Sequence, residues 1–81
     1  MKPIDEILSD FNIEPEYIQD CKEYALSIQS DIMNDKAYSQ ETNEQEFLDC
    51  VLMYYKAYKT SQQQGFSPLW SKLYATHFYH D

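Results

Sequence analysis

Apolar residues recur three and four positions apart along most of this chain, and the three prolines and the single glycine interrupt the pattern. That spacing places apolar side chains on one face of an α-helix, whereas a half-buried strand needs strict alternation, which no segment shows. Proline is favoured at the first helical position and glycine just beyond the last. The chain is therefore predicted to be all-α, with helix boundaries near Pro3, Pro15, Gly65 and Pro68.

These boundaries predict a small bundle of three to four helices that forms a single domain over residues 1–81. A chain of this length has room for only one hydrophobic core. The second and third helices are expected to be long, with a short helix before them and another at the C-terminus. The predicted helices cover about residues 3–11, about 15 onward, about 43–63 and about 68–79.

A polar stretch over residues 34–42 separates the second predicted helix from the third. Thr42, followed three residues later by Gln45, matches a capping box, in which the two side chains bond each other's backbone N–H groups. The third helix is therefore predicted to begin just after Thr42. Gly65 is expected to end it, because glycine takes a left-handed conformation without strain.

Charge is divided unevenly along the chain. The sequence has 14 acids, six lysines and no arginine, which gives a net charge of -8. Residues 1–49 hold 13 of the acids and three lysines, so they carry -10, whereas residues 50–81 hold one acid and three lysines and carry +2. An acidic chain without arginine is poorly suited to bind phosphates, so direct nucleic-acid binding is disfavoured. The acidic half is better suited to a basic protein.

The second predicted helix carries most of its acids opposite its apolar side. Glu16 and Asp31 are the first and last acids of this helix. At 100° per residue, they lie on the same side of the helix as the acids between them, which form a stripe. Lys22 is the only lysine between residues 3 and 35, so few lysines within the helix relieve the repulsion. The predicted partner-binding residues are Glu16, Asp20, Glu23, Asp31, Asp35, Glu41, Glu44, Glu46 and Asp49.

Two interpretations of this acidic surface stay open. A solvated acidic helix face explains solubility without any partner. Alternatively, carboxylates at intervals of roughly 6 Å imitate the phosphates of a nucleic-acid strand and occupy a basic groove on another protein. The second interpretation predicts a non-enzymatic inhibitor or nucleic-acid mimic, of the kind that phage and mobile elements direct against host defence or DNA-handling proteins; the likeness is one of composition alone.

The second half of the chain is rich in tyrosine and supports an alternative hypothesis. Tyr54 and Tyr55 lie 100° apart on the third predicted helix, so some of the aromatic side chains are expected to be exposed. Exposed tyrosine and tryptophan dominate binding hot spots. The alternative is a structural or regulatory homo-oligomer, such as a homodimer. Its predicted surface comprises Tyr54, Tyr55, Tyr58, Trp70, Tyr74 and Tyr79.

Candidate catalytic and metal sites are weak. Cys21 and Cys50 fall in apolar helical patterns beside acids, which favours buried core thiols over reactive ones. His77 and His80 share a helical spacing but lack further ligands for a metal. One glycine excludes glycine-rich phosphate loops. We expect no enzyme activity, cofactor or metal, no membrane span or signal peptide, and a cytoplasmic location.

Overall fold

The computed structural model describes the backbone of residues 2–80 and the side chains of residues 2–76. All regular secondary structure in this part of the chain is helical, which confirms the predicted all-α class. The four helices are α1 (Ile4–Asp10), α2 (Pro15–Met33), α3 (Gln40–Gln63) and α4 (Pro68–His80).

Two of the predicted proline starts are confirmed. Pro15 is the first residue of α2, after the N-cap Glu14, and Pro68 is the first residue of α4. The Ser67 hydroxyl accepts a hydrogen bond from the Trp70 backbone N–H at 3.3 Å, which satisfies one of the free donors of the first turn. The start of α1 differs by one position from the prediction: Pro3 is the N-cap, and Ile4 is the first helical residue.

The start of α3 corrects the sequence prediction. Ser39, not Thr42, is the N-cap: its hydroxyl accepts a hydrogen bond from the Thr42 backbone N–H at 3.2 Å. The predicted partner Gln45 instead donates to the Asp49 carboxylate at 2.9 Å. Both Ser39 and Thr42 are good caps in the sequence, so local preference could not choose between them. The preceding loop is held by Asn43, whose buried amide donates to the Asp35 carbonyl at 2.7 Å.

The end of α3 is as predicted. Gly65 has a φ of 94°, and its backbone N–H donates to the Gln62 carbonyl at 3.0 Å, while the Phe66 N–H donates to the Ser61 carbonyl at 3.1 Å. These two bonds form a Schellman motif, which turns the chain sharply toward α4. Asn12, just beyond the end of α1, also has a left-handed backbone conformation, with a φ of 56°. This turn was not predicted from the sequence.

The core is built around α3, which packs against both α2 and α4, while α1 packs against α2. Phe47, Cys50 and Val51 of α3 are completely buried, as is Cys21 of α2. Leu8 of α1 closes the same cluster. Because α3 has neighbours on two sides, it buries side chains over a wide arc. This central position determines which of the candidate functional residues reach the surface.

Candidate functional site

The ion pairs of this protein are concentrated on acids in the first part of the chain. Each of four lysines reaches a carboxylate, and every carboxylate so used lies between residues 5 and 23. These are charge contacts between elements, which the helix periodicity alone does not reveal. The pairs are Lys2 with Asp10, Lys22 with Asp5, Lys59 with Glu14, and Lys72 with both Asp20 and Glu23.

Asp20, at the centre of the predicted acidic stripe, is held inside the molecule. Its carboxylate accepts a hydrogen bond from the Tyr58 hydroxyl at 2.6 Å and lies 2.8 Å from the Lys72 ammonium. Burial of Asp20 opposes its ionisation, but the hydrogen bonds from Lys72 and Tyr58 and the lysine charge outweigh it. The pKa of Asp20 therefore lies below its ordinary value. Asp20 ties α2 to both α3 and α4.

Tertiary contacts also neutralise the neighbours of Asp20. Glu23 lies 3.7 Å from the Lys72 ammonium, and Glu14 pairs with Lys59 of α3. The hydrogen bond from Lys59 holds the pKa of Glu14 below its ordinary value. The sequence suggested that α2 lacked compensating lysines, but lysines of α3 and α4 supply them from a distance. In the N-terminal half of the stripe, Asp20 and Glu23 therefore share Lys72, while Glu16 is outside the ion pairs of the described residues.

The remaining acids of the predicted surface lie around the connection from α2 to α3, a region that we call the acidic end. None of them comes within ion-pair distance of a lysine in the described part of the chain. At 100° per residue, the acids on α3 lie at about 60° (Glu44) to 160° (Asp49) from the buried Phe47. The acidic end comprises Asp31, Asp35, Glu41, Glu44, Glu46 and Asp49. The structure therefore separates Asp20 and Glu23, which contact Lys72, from the carboxylates of this acidic end.

The predicted tyrosine surface is wrong for three of its six residues, whereas Trp70 and Tyr74 are exposed. Tyr54, Tyr55 and Tyr58 are 3%, 9% and 2% exposed, so they belong to the core. A helix with one neighbour buries one face, whereas α3 packs against both α2 and α4 and can bury residues about 100° apart. Tyr17 and Tyr24 of α2 complete this aromatic core.

The buried tyrosines contact each other through their rings. Tyr24 stacks on Tyr54, with ring centroids 4.1 Å apart and planes 8° from parallel. Tyr54 in turn lies 5.9 Å from Tyr58, and Tyr17 meets Tyr58 edge to face at 5.7 Å. Such pairs stabilise a fold by about 0.5–1.5 kcal/mol each beyond the area that they bury. The tyrosines therefore compensate for the short chain by forming its core.

Removal of each of two tyrosine hydroxyls in this core is expected to have a different effect on the free energy of unfolding. Tyr58→Phe deletes the hydrogen bond to the Asp20 carboxylate, so we expect the free energy of unfolding to fall by about 1.5–3 kcal/mol. Tyr24→Phe is the matched control, because the buried Tyr24 hydroxyl has no hydrogen-bond partner among the described residues. That variant should keep or gain stability. Urea denaturation of both proteins measures the difference, and equal losses would contradict the assigned bonding.

Cys21 and Cys50 are completely buried core thiols, as predicted. Burial, with a contribution from the Asp20 charge, raises the pKa of the Cys21 thiol to about 12. A thiol with such a pKa is almost entirely protonated at neutral pH and is a poor nucleophile. His77, His80 and Tyr79 lie outside the residues whose side chains are described. Among the described side chains, no three acidic, histidine or cysteine residues are placed to hold a metal ion.

The cleft between α1 and α3 brings two carboxylates near each other. Asp10 and Glu44 line it with Lys2, beside the apolar side chains of Ile7 and Leu48. Lys2 donates to the Asp10 carboxylate at 2.8 Å, so this carboxylate is already engaged. Lys2 lines the same cleft as Glu44 of the acidic end, yet it forms its ion pair with Asp10.

α4 turns its large apolar side chains away from the core. Ser71 and Ala75 are completely buried, whereas Trp70, predicted to belong to a surface, is exposed along with its apolar neighbours. Periodicity identified the apolar face of α4 but not its direction; the small residues Ser71 and Ala75, four apart, were the available signal. The exposed fractions are 54% for Phe66, 66% for Leu69, 64% for Trp70, 43% for Leu73 and 52% for Tyr74.

Comparisons with protein-family models, curated proteins and solved structures found no match. The candidate sites therefore stand on the residues and their geometry. Within the described residues, no helix combines the length and the apolar character that crossing a bilayer requires.

Proposed function

We propose that this protein is a non-enzymatic interaction module that binds a basic surface of a partner protein through its acidic end. The observation that supports the proposal is the separation of its acids into two groups. Acids from residue 5 to residue 23 are largely paired with lysines, while the six carboxylates of the acidic end are not. The carboxylates of such a cluster repel one another, while those in the first turns of α3 also gain from the helix dipole. A basic partner relieves that repulsion.

The partner class that fits this surface is a nucleic-acid-binding protein. Basic grooves that hold DNA or RNA present lysine and arginine at the spacing of phosphates. The carboxylates of α3, displayed along its first turns from Glu41 to Asp49, span about 12 Å at 1.5 Å per residue. Occupation of such a groove would exclude the nucleic acid, so the proposed activity is inhibition by mimicry. An inhibitor carried by a phage or mobile element and acting in the cytoplasm is the setting that we propose.

Charge reversal at the acidic end provides the test. The variant Glu41→Lys with Asp49→Lys should weaken binding to the partner by about tenfold or more, because close charge pairs across an interface contribute on the order of 1.5–7 kcal/mol. Candidate partners are collected at low salt from a lysate of the source cells and eluted at high salt. Each is then assayed for displacement of a DNA or RNA duplex by the wild-type protein and by the variant.

A matched control changes the same charge elsewhere. Glu6→Lys with Glu16→Lys also alters the net charge by +4, and like the first pair it includes first-turn acids. Both control residues are exposed and outside any lysine ion pair in the described chain. This control should bind as the wild type does. Equal binding by all three proteins, or displacement of nucleic acid that does not depend on salt, would refute the proposed site.

The homo-oligomer hypothesis has a smaller surface than the sequence implied. Three of its six residues, Tyr54, Tyr55 and Tyr58, are buried within one copy of the chain. A specific observation nevertheless favours self-association through two residues of the predicted surface, Trp70 and Tyr74, together with their exposed apolar neighbours on or just before α4.

A further inference from the structure

We propose that the outer face of α4 is a homodimer interface. This face consists of Phe66, Leu69, Trp70, Leu73 and Tyr74, all of them between 43% and 66% exposed. The inference does not depend on the acidic end or on any basic partner. Small side chains make up the inward side of α4 and large apolar ones make up the outward side, which is the reverse of a solvated surface helix.

The five side chains form a continuous patch. Phe66, Trp70 and Tyr74 line one groove between α3 and α4. Leu69 directly precedes Trp70, and Leu73 follows Leu69 by four residues, one helical turn further along α4. The groove extends along α3 to Met53, which lines a second depression together with Tyr74. Contiguous apolar surface of this kind marks an interaction site in soluble proteins.

The size of the patch suits a dimer. Its exposed apolar surface amounts to roughly 400–500 Å², taking about 150–250 Å² for each complete aromatic side chain and less for leucine. A stable interface buries about 800 Å² on each partner, so the patch supplies more than half of one side. The adjoining groove of α3 supplies the rim of the proposed interface. Trp70 and Tyr74 are also the residue types that contribute most at the centre of interfaces.

The charge distribution selects a second copy as the occupant. A two-fold contact places the same patch on both sides, so a self-complementary interface must avoid bringing like charges together. Between Asp49 and Asp81 the chain contains no acid, although its net charge is -8. Lys59 and Lys72, which flank this region, are already paired with acids of α2 or its cap. The five side chains of the patch are therefore apolar or aromatic, and the charge of Lys56 lies in the adjoining depression of α3 beside Met53 and Tyr74.

The acidic ends do not prevent this contact. Asp49 of the acidic end and Thr60 at the groove lie on the same helix, 11 residues apart. At 1.5 Å per residue, the distance between them along α3 is about 16 Å. That separation is about two Debye lengths at physiological ionic strength, so repulsion between the two acidic ends is strongly screened. Added salt should strengthen the dimer slightly or leave it unchanged. Binding of a basic partner through the acidic end should instead weaken with salt, so the two proposals can fail separately.

Sedimentation equilibrium over about 1 µM to 1 mM protein tests the interface. The wild-type chain should dimerise within this range. Leu69→Glu should raise the dimer dissociation constant by about 100-fold or more, because a two-fold dimer loses two buried leucines and gains two facing charges. Leu26→Glu is the matched control: Leu26 is 55% exposed on α2, outside the patch, and its replacement should leave the constant unchanged.

A second measurement requires no substitution. Trp70 is the only tryptophan, so its fluorescence reports directly on the patch. Its emission should shift to shorter wavelength as the protein concentration rises, and Leu73→Glu should abolish that shift while circular dichroism shows unchanged helix content. A monomer throughout the concentration range with constant emission would overturn the proposal and leave the patch to a different protein. A dimer that is lost with Leu26→Glu but not with Leu69→Glu would also overturn it.

Discussion

Phe47→Ala is expected to lower the free energy of unfolding by about 3–5 kcal/mol, a large part of the total stability of so small a domain. Phe47 is completely buried on α3, within the cluster shared with α2. Its removal loses the transfer free energy of the ring and leaves a cavity that rigid neighbours cannot fill completely. Thermal and urea denaturation should show a protein that is partly unfolded near room temperature.

Phe66→Ala provides the comparison for this experiment. It deletes the same ring from the outer surface, where the side chain is 54% exposed in one copy of the chain. At protein concentrations below the proposed dimer dissociation constant, this variant should lose less than about 1 kcal/mol, as surface substitutions usually do. Similar losses for Phe47→Ala and Phe66→Ala would mean that the core does not centre on α3.

The second large effect is expected at alkaline pH. Burial raises the pKa of Cys21 from 9.0 to about 12 and that of Tyr24 from 10.0 to about 12, and it also raises the pKa values of Tyr54 and Tyr58. A raised folded-state pKa contributes stability that is fully present below the unfolded-state value and is lost as pH rises toward the folded-state value. Stability should therefore begin to fall near pH 9 and fall further above pH 10.

The size of the alkaline effect follows from the number of groups. Each group costs about 1.4 kcal/mol of stability per pH unit within its window. With Cys21, Tyr24, Tyr54 and Tyr58 acting together, the loss by pH 12 is on the order of 10 kcal/mol, which is comparable to the roughly 5–15 kcal/mol available to a small domain. We therefore expect cooperative unfolding between about pH 9 and 12.

Two spectroscopic signals measured together test this expectation. The far-ultraviolet circular dichroism should fall in the same pH interval in which the buried tyrosines ionise, because the phenols lose their protons when the chain unfolds. Cys21→Ala should shift the start of unfolding upward, since it removes the group with the lowest unfolded-state pKa. Tyrosine ionisation that is complete while the helical signal remains intact would contradict the buried positions of these side chains.

The helices of this protein were largely predictable because their signals are local. Pro15 and Pro68 begin their helices and Gly65 ends α3, as the backbone preferences of proline and glycine require. The error at the start of α3 has the same origin. Ser39 and Thr42 carry equivalent capping signals one turn apart, and only the packing of that turn, with Asn43 buried beneath the loop, distinguishes them.

The candidate sites were less predictable because they depend on what each helix faces. The acid count located the negative half of the chain correctly, but Asp20 and Glu23 are paired with Lys72, which follows Asp20 by 52 positions in the sequence. No pattern within α2 carries information about that lysine. Local periodicity likewise treated Tyr54 and Tyr55 as competing for one face, since it cannot show that a helix has two neighbours.

By itself, the sequence determined that the chain folds into helices, where most of them begin and end, and which half carries the negative charge. These properties depend on backbone preferences and on residue spacing within a few turns. Only the tertiary structure decided that the tyrosines of α3 are buried, that Lys72 of α4 contacts two acids of the stripe, and that α4 packs through Ser71 and Ala75. Those outcomes depend on the direction in which each amphipathic helix turns its faces. That direction is set by long-range packing, because side chains far apart in sequence must fit together at close-packed density.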